Sequence, residues 1–305
     1  MEKEFADYEK CILCPRACGV SRNKGETGVC GVASELKLAR AALHFWEEPC
    51  ISGTKGSGTV FFSGCSMHCV FCQNQEIAQG LSGKSITRER LLDIFFQLKE
   101  QGAVNINLVT PTHYLPHIIW ALEKAKTSGL ALPVVYNTSG YEKVESIKRL
   151  EGLVDVYLPD YKFSAEALAR EYARASDYPQ VAFDAIREMV RQQPVVEFRR
   201  EDGQMLMKKG VMVRHLLLPG ELYGAKQILA ALYDAFGNQI YYSIMSQYTP
   251  MPQVAHHAKL GRKVAKEAYE NLVEYAMRLG ITNGFIQSGE VAMESFIPHF
   301  DNEGV

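Results

Sequence analysis

Three cysteines, Cys65, Cys69 and Cys72, stand at the spacing C-x3-C-x2-C directly behind the apolar run Gly58-Thr59-Val60-Phe61-Phe62-Ser63-Gly64. Thiolate sulfur is a soft ligand for iron and zinc. Three thiolates on one short loop can anchor a cubane 4Fe–4S cluster and leave its fourth iron open. An open position is what separates a reactive metal site from a structural one. Eight cysteines scattered at random over 305 positions would give this triple only about 0.005 times, so the spacing is a signal. The competing reading is a zinc loop that recruits His68 as a fourth ligand. Met67 and Val70, between the ligands, are expected to cover the metal rather than react.

Four further cysteines, Cys11, Cys14, Cys18 and Cys30, follow the spacing C-x2-C-x3-C-x11-C, with Pro15, Gly19, Gly25 and Gly28 available for turns. Four thiolates close a site. That suits structural zinc or an auxiliary second 4Fe–4S cluster, and the spacing fits both. An auxiliary cluster could relay an electron to the first; a zinc would only hold the segment in place. Cys50 is left over and reads as a free, buried thiol. The segment before it, His44-Phe45-Trp46-Glu47-Glu48, is a polar and aromatic cluster that could face the mouth of the fold, and Glu47 and Glu48 read as a solvated turn or, alternatively, as part of a substrate site.

All eight cysteines fall in the first quarter of the chain, and the N-terminal residues show no signal-peptide pattern. Clustered cysteines in a reducing cytosol point to metal rather than disulfides, so a cytoplasmic protein is expected. Thirty-three basic against thirty-five acidic residues leave a net charge of −2, which offers no bulk footprint for nucleic acid or an anionic membrane. No run approaches the roughly eighteen apolar residues needed to span a bilayer.

The scaffold that must position these loops is an alternation of β-branched runs and amphipathic stretches. Strands are predicted at 58–64, 104–109, 133–136, 154–158, 211–218, 239–245 and 284–287. Helices are predicted at 85–101, capped by Ser85 or Thr87, and at 114–126, 142–150, 165–172, 182–192, 224–236 and 259–278. Gly280 suits the left-handed cap of the last. Six or seven βα units read as a full or partial (β/α) barrel, with a doubly wound open sheet as the alternative. Residues 1–50, rich in Cys, Gly and Arg with little apolar periodicity, read as a small cysteine-rich, metal-binding extension of a domain over 51–305.

With Phe71 before the last cysteine, the loop resembles the C-x3-C-x-aromatic-C signature of the radical S-adenosylmethionine superfamily. Gly56-Ser57-Gly58 through Cys65, Cys72-Gln73-Asn74, Cys11-Ile12-Leu13-Cys14-Pro15-Arg16-Ala17-Cys18 and Ala42-Leu43-His44-Phe45-Trp46-Glu47-Glu48-Pro49 resemble its pyruvate formate-lyase-activating-enzyme-like branch. The resemblance implies a radical SAM barrel, a 4Fe–4S cluster on Cys65, Cys69 and Cys72, and S-adenosylmethionine chelated to the open iron. It implies an oxygen-sensitive oxidoreductase that cleaves the sulfonium reductively to a 5′-deoxyadenosyl radical, which takes a hydrogen atom from a substrate. It also implies a flavodoxin- or ferredoxin-type electron donor, and as substrate a glycyl-radical enzyme, another peptide or a small molecule.

Residue by residue, the branch pattern falls on Asp160-Tyr161-Lys162 for the methionine carboxylate, on Asn137-Thr138-Ser139-Gly140 for a cofactor-binding turn and on Arg214 in the fifth strand. The alternative readings are a strand-end ion pair for Asp160 and Lys162 and a satisfied barrel arginine for Arg214. Two elements depart. Thr110-Pro111-Thr112-His113 stands where the branch carries Gly-Gly-Glu, and Ser246-Gln247-Tyr248 where it carries a histidine. His113, at a strand's C-terminal end, suits either a substrate contact or a local cap. A non-catalytic electron carrier using both cysteine sets is the contrasting reading, and the length of the barrel region argues against it.

Overall fold

Short β-branched runs with turn residues between them pair side by side, and the amphipathic stretches lie as helices over the outer face. The computed structural model describes residues 6–286 and 300–305. Its strands are β1 (Lys37–His44), β2 (Ser57–Phe62), β3 (Lys84–Ser85), β4 (Ile106–Val109), β5 (Val134–Thr138), β6 (Val156–Pro159), β7 (Glu197–Glu201), β8 (Gln204–Leu216), β9 (Tyr241–Met245) and β10 (Gly284–Ile286). The helices are α1 (Ala6–Glu9), α2 (Pro49–Ser52), α3 (Gln75–Ala78), α4 (Arg88–Glu100), α5 (Leu115–Thr127), α6 (Val144–Lys148), α7 (Glu166–Ala173), α8 (Tyr178–Gln192), α9 (Leu222–Phe236) and α10 (Lys266–Leu279).

The order across the sheet is β10-β9-β8-β6-β5-β4-β2-β1-β3, with β7 paired to β8 alone. Strands β2, β4, β5, β6, β8, β9 and β10 run parallel. The antiparallel pairs are β1 with β2, β1 with β3, and β7 with β8. This is a mixed α/β fold with a largely parallel sheet, a partial (β/α) barrel, which decides between the two architectures the periodicity allows. No helix among the described residues is long and apolar enough to cross a membrane.

Several expected elements appear with shifted ends, each for a local reason. Helix α4 starts after Thr87, whose hydroxyl accepts the Arg90 N–H at 3.1 Å. Gly280 caps α10 at φ +94° as expected, but the helix begins at Lys266 rather than near residue 259. There the His257 ring nitrogen accepts the Lys259 and Leu260 N–H groups at 3.2 and 3.0 Å, which holds the chain in a turn. Strand β8 begins well before residue 211, because Asp202 and Gly203, at φ +48° and +79°, make the two-residue turn of a β7–β8 hairpin. Strand β1 was unpredicted. Its burial shows no alternation, because both of its faces are covered, so the period-two signal is erased. Gln287, the last residue of the expected final strand, lies outside the described residues.

Inside the barrel the lower layer is apolar: Cys50, Ile51, Val135, Val156, Leu158, Met207 and Met212 form one buried cluster. Cys50 is thus a packed core thiol, pushed well above its usual range by burial. On the outer edge of β1, the Ala41 N–H donates to the Glu303 carbonyl at 2.9 Å and Asn302 N–H to the Ala39 carbonyl at 3.2 Å.

Candidate active site at the barrel mouth

The three-cysteine loop leaves β2 through Ser63 and Gly64. Gly64 has φ +97°, and a Cβ there would lie 2.7 Å from the Cys30 carbonyl oxygen and 3.0 Å from His113 Nε2. Only glycine permits both the conformation and the approach. The next N–H, that of Cys65, donates to the same Cys30 carbonyl at 3.3 Å, so the two cysteine sets abut. Arg16, from the first set, reaches across to the loop: its Nε donates to the Ser66 carbonyl at 2.8 Å and its Nη2 to that of Ala173 at 2.8 Å. His68, at φ +52°, bonds the Val29 carbonyl through Nε2. Met67 is buried and Val70 is on the surface. Phe71 is buried with its ring edge-on to Phe163, Tyr172 and Tyr248, at 6.2, 6.4 and 6.1 Å between centroids.

Burial pushes the Cys69 thiol up to about 12 and the Cys72 thiol up to about 11, and raises Cys65 as well. These sulfurs are neutral thiols until a bound cation stabilises the thiolates. Among the described residues no three His, Cys, Asp or Glu side chains converge tightly enough to hold a single ion. His68 is turned to the Val29 carbonyl through Nε2, and a cubane spreads its ligands over its own width. Three half-buried thiols on one loop fit a cluster.

A cavity of about 280 Å³ opens at the C-terminal ends of the strands, and Cys69, Cys72 and Phe71 line it together with Asn137, Asp160, Lys162 and Arg214. Arg214 is the hub. Its Nε donates to Asp160 Oδ1 at 3.0 Å, Nη1 to Glu47 Oε2 at 3.1 Å and Nη2 to Asn137 Oδ1 at 2.6 Å. Lys162 Nζ donates to the other Asp160 oxygen at 2.5 Å. Burial alone would push Asp160 up, but Lys162 and Arg214 hold it below the usual carboxylate range. The ion-pair reading of Asp160 and Lys162 and the satisfied reading of Arg214 therefore both hold, and the same groups line the cavity. Ser139 is not among its lining residues; the Ser139 carbonyl accepts the Tyr178 hydroxyl at 2.8 Å.

Glu47 and Glu48 are not a solvated turn. Glu47 Oε1 accepts from Asn107 Nδ2 and Asn137 Nδ2 at 3.1 and 3.2 Å, which with Arg214 makes burial of its charge tolerable. Glu48 is buried and its carboxyl is raised by burial, with no hydrogen-bond partner at Oε2. Asn107 Oδ1 is likewise buried and unpartnered. The local sequence leaves Glu47 and Glu48 between a solvated turn and a substrate site, because the partner that decides it, Arg214, is 167 positions from Glu47.

The departure at 110–113 buttresses the loop instead of facing the cavity. His113 is buried, and its Nε2 bonds the Ser63 carbonyl at 2.7 Å, so it is a local cap. Burial and the nearby Arg22 bring its imidazole down to about 3. Thr112 and Thr138 both donate to Glu142 Oε1, which draws residue 142 inward and shortens α6. Burial lifts the Glu142 carboxyl to about 7. At the other departure, Gln247 and Tyr248 line the cavity.

In the second set Cys11, Cys14 and Cys30 are buried and Cys18 is exposed. Cys18 Sγ accepts the Val29 N–H at 3.4 Å, and Gly28 lies so close that a Cβ would come within 2.8 Å of that sulfur. Burial pushes the Cys14 thiol up to about 12.

The Radical SAM superfamily profile matches residues 59–229. An uncharacterized protein of Methanocaldococcus jannaschii is 27% identical over 282 residues, covering 90% of this chain and 76% of that protein. Streptococcus suis SuiB bound to S-adenosylmethionine superposes with a TM-score of 0.50 at 12% identity, covering 75% of this chain and 49% of SuiB. The FeFe-hydrogenase maturase HydG of Carboxydothermus hydrogenoformans superposes with a TM-score of 0.50 at 16% identity, covering 74% and 52%. The chain thus matches about half the length of each of these structures, and at such identities the likeness is one of fold.

Proposed function

This chain belongs to the radical S-adenosylmethionine superfamily, and on that footing we propose that it abstracts a hydrogen atom from a substrate held at the barrel mouth. The family implies a 4Fe–4S cluster and S-adenosylmethionine as cofactors. When bound, they supply reductive cleavage of the sulfonium and a 5′-deoxyadenosyl radical. Cys65, Cys69 and Cys72 hold the cluster, and Phe71 with its aromatic neighbours keeps water from it. Lys162 and Asp160 orient the methionine end of the cofactor; Asn137 and Ser139 shape the turn beside it. Arg214, backed by Glu47, holds Asp160 and Asn137 in place. In this reading residues 1–50 are a cysteine-rich extension and 51–305 the barrel domain of a cytoplasmic, oxygen-sensitive oxidoreductase fed by a flavodoxin- or ferredoxin-type donor.

The observation that carries the reading is that Cys69 and Cys72 line the same cavity as Asp160, Lys162 and Arg214. The test is anaerobic reconstitution with iron and sulfide, followed by dithionite and S-adenosylmethionine. Reductant-dependent 5′-deoxyadenosine is expected, and it should vanish in Cys72→Ala; no product from the reconstituted wild type sinks the assignment.

For the substrate, the branch resemblance supports activation of a glycyl-radical enzyme. Incubation with such a partner should then give a glycine-centred electron spin resonance signal. The Thr110–His113 and Gln247 departures favour a second reading, modification of another peptide or a small molecule. Cofactor cleavage without a glycyl signal from any candidate partner would select it.

A further inference from the structure

Arg22 is 0% exposed, the most completely buried charge among the described residues. Its Nε and Nη2 donate to the Ala33 carbonyl at 3.2 and 2.6 Å, and its Nη1 to the His113 carbonyl at 2.5 Å. Nη1 also lies 3.9 Å from Cys11 Sγ. The guanidinium stacks over the rings of Tyr8 and Tyr114, at 4.3 and 5.6 Å to their centroids. Among the described residues every oxygen it touches is a neutral carbonyl, and no carboxylate is among its partners. A guanidinium cannot shed its proton, and a cation buried without an anion is strongly unfavourable. The groups placed to supply the missing negative charge are the sulfurs of Cys11 and Cys30, both of which act electrostatically on Arg22.

We propose that Cys11, Cys14, Cys18 and Cys30 hold a net-anionic metal–tetrathiolate centre whose counter-ion is Arg22, and that this pair anchors the three-cysteine loop. Four thiolates around Zn²⁺, or around an oxidised 4Fe–4S cluster, leave a dianion, so either metal meets the charge requirement. Cys11 and Cys30 act electrostatically on Cys14, and Cys11 and Cys18 on Cys30, so the four sulfurs share one neighbourhood. Two straps tie the centre to the loop. One runs from Arg22 through the His113 carbonyl and ring to the Ser63 carbonyl, at 2.5 and 2.7 Å. The other is the Cys30 carbonyl that accepts the Cys65 N–H at 3.3 Å. The inference does not depend on the radical reading, since it concerns the charge of a centre outside the barrel mouth.

The test uses the full chain with Cys65, Cys69 and Cys72 all changed to Ala, purified anaerobically, so that only the first set can bind metal. About one zinc, or about four irons with matching sulfide, is expected per chain; absence of both overturns the proposal. In this background Arg22→Met should weaken metal retention against a chelator by about 10–100-fold, and Arg22→Lys should recover most of it. The decisive readout is a change of sign in thermal stability. With metal bound, Arg22→Met should melt below its parent. With metal stripped, it should melt at or above its parent, because the substitution then removes a cation that nothing neutralises. Equal destabilisation with and without metal would mean that Arg22 is merely packed there, and would overturn the counter-ion role.

Discussion

Arg22 and Arg214 are both buried guanidinium groups, and their surroundings differ in kind. Arg214 meets two carboxylates and an amide oxygen, and Lys162 balances the second carboxylate. Arg22 meets carbonyls, two tyrosine rings and a sulfur. The barrel mouth is neutralised by its own side chains and is preformed. Around Arg22, by contrast, no carboxylate lies within bonding reach among the described residues, and on the counter-ion proposal folding and metal binding would be coupled there. One chain therefore carries a charge-balanced mouth beside a buried cation whose balance, on the counter-ion proposal, comes only with metal.

The largest expected effect tests the self-sufficiency of the mouth. Arg214→Met leaves Glu47 and Asp160 buried without their shared partner and should cost about 3–5 kcal/mol, read from the urea midpoint of the metal-free protein. A loss below about 1 kcal/mol would mean that solvent, and not the network, carries those charges.

Acid should separate the two regions next. The folded-state pKa of His113 is about 3, against an ordinary 6.5, so below pH 6.5 the unfolded chain takes up a proton that the folded chain refuses. Its share of stability is present above pH 6.5 and is lost as pH falls, at up to about 1.4 kcal/mol per pH unit, or about 2 kcal/mol by pH 5. Asp160 has a depressed pKa, so its contribution is present above its unfolded value of 3.8 and is lost only below that. His113→Gln should flatten the decline between pH 6.5 and 5, while Asp160→Asn should lower stability evenly across that interval without changing its slope, and change the slope only below pH 3.8. Identical acid profiles for the two variants would erase the distinction.

The smallest effect concerns one strand of the mouth network. Asn107→Ala removes a single donor from Glu47, which keeps Asn137 and Arg214, and should cost about 1–2 kcal/mol. If it cost as much as Arg214→Met, the mouth would be a single cooperative unit instead of a hub with spokes.

What could be read from the sequence was what is local in it. The spacing of Cys65, Cys69 and Cys72 and the strand before them needed no long-range information, nor did the closely spaced Asp160 and Lys162. Gly280 and Thr87 announce helix ends because capping is decided within one turn. The Asp202-Gly203 turn carried the same kind of signal and marks the hairpin. Arg22 was illegible, and Glu47 legible only as one of two alternatives, for the opposite reason. A charge next to another charge looks solvated until its partner arrives from a distant strand, and an arginine among glycines gives no hint that rings and carbonyls will enclose it. Strand β1 was hidden because burial on both faces removes the alternation by which strands are recognised.

The outer edge of β1 bears on how a partner can approach. Extended peptides commonly bind by adding themselves to an unpaired strand, taking up its N–H and carbonyl groups. On β1 the Ala39 carbonyl and the Ala41 N–H are already occupied by Asn302 and Glu303, and Arg40 holds Asp301 at 2.9 Å. A visiting chain finds no ladder to join on that side unless residues 301–305 are first peeled away.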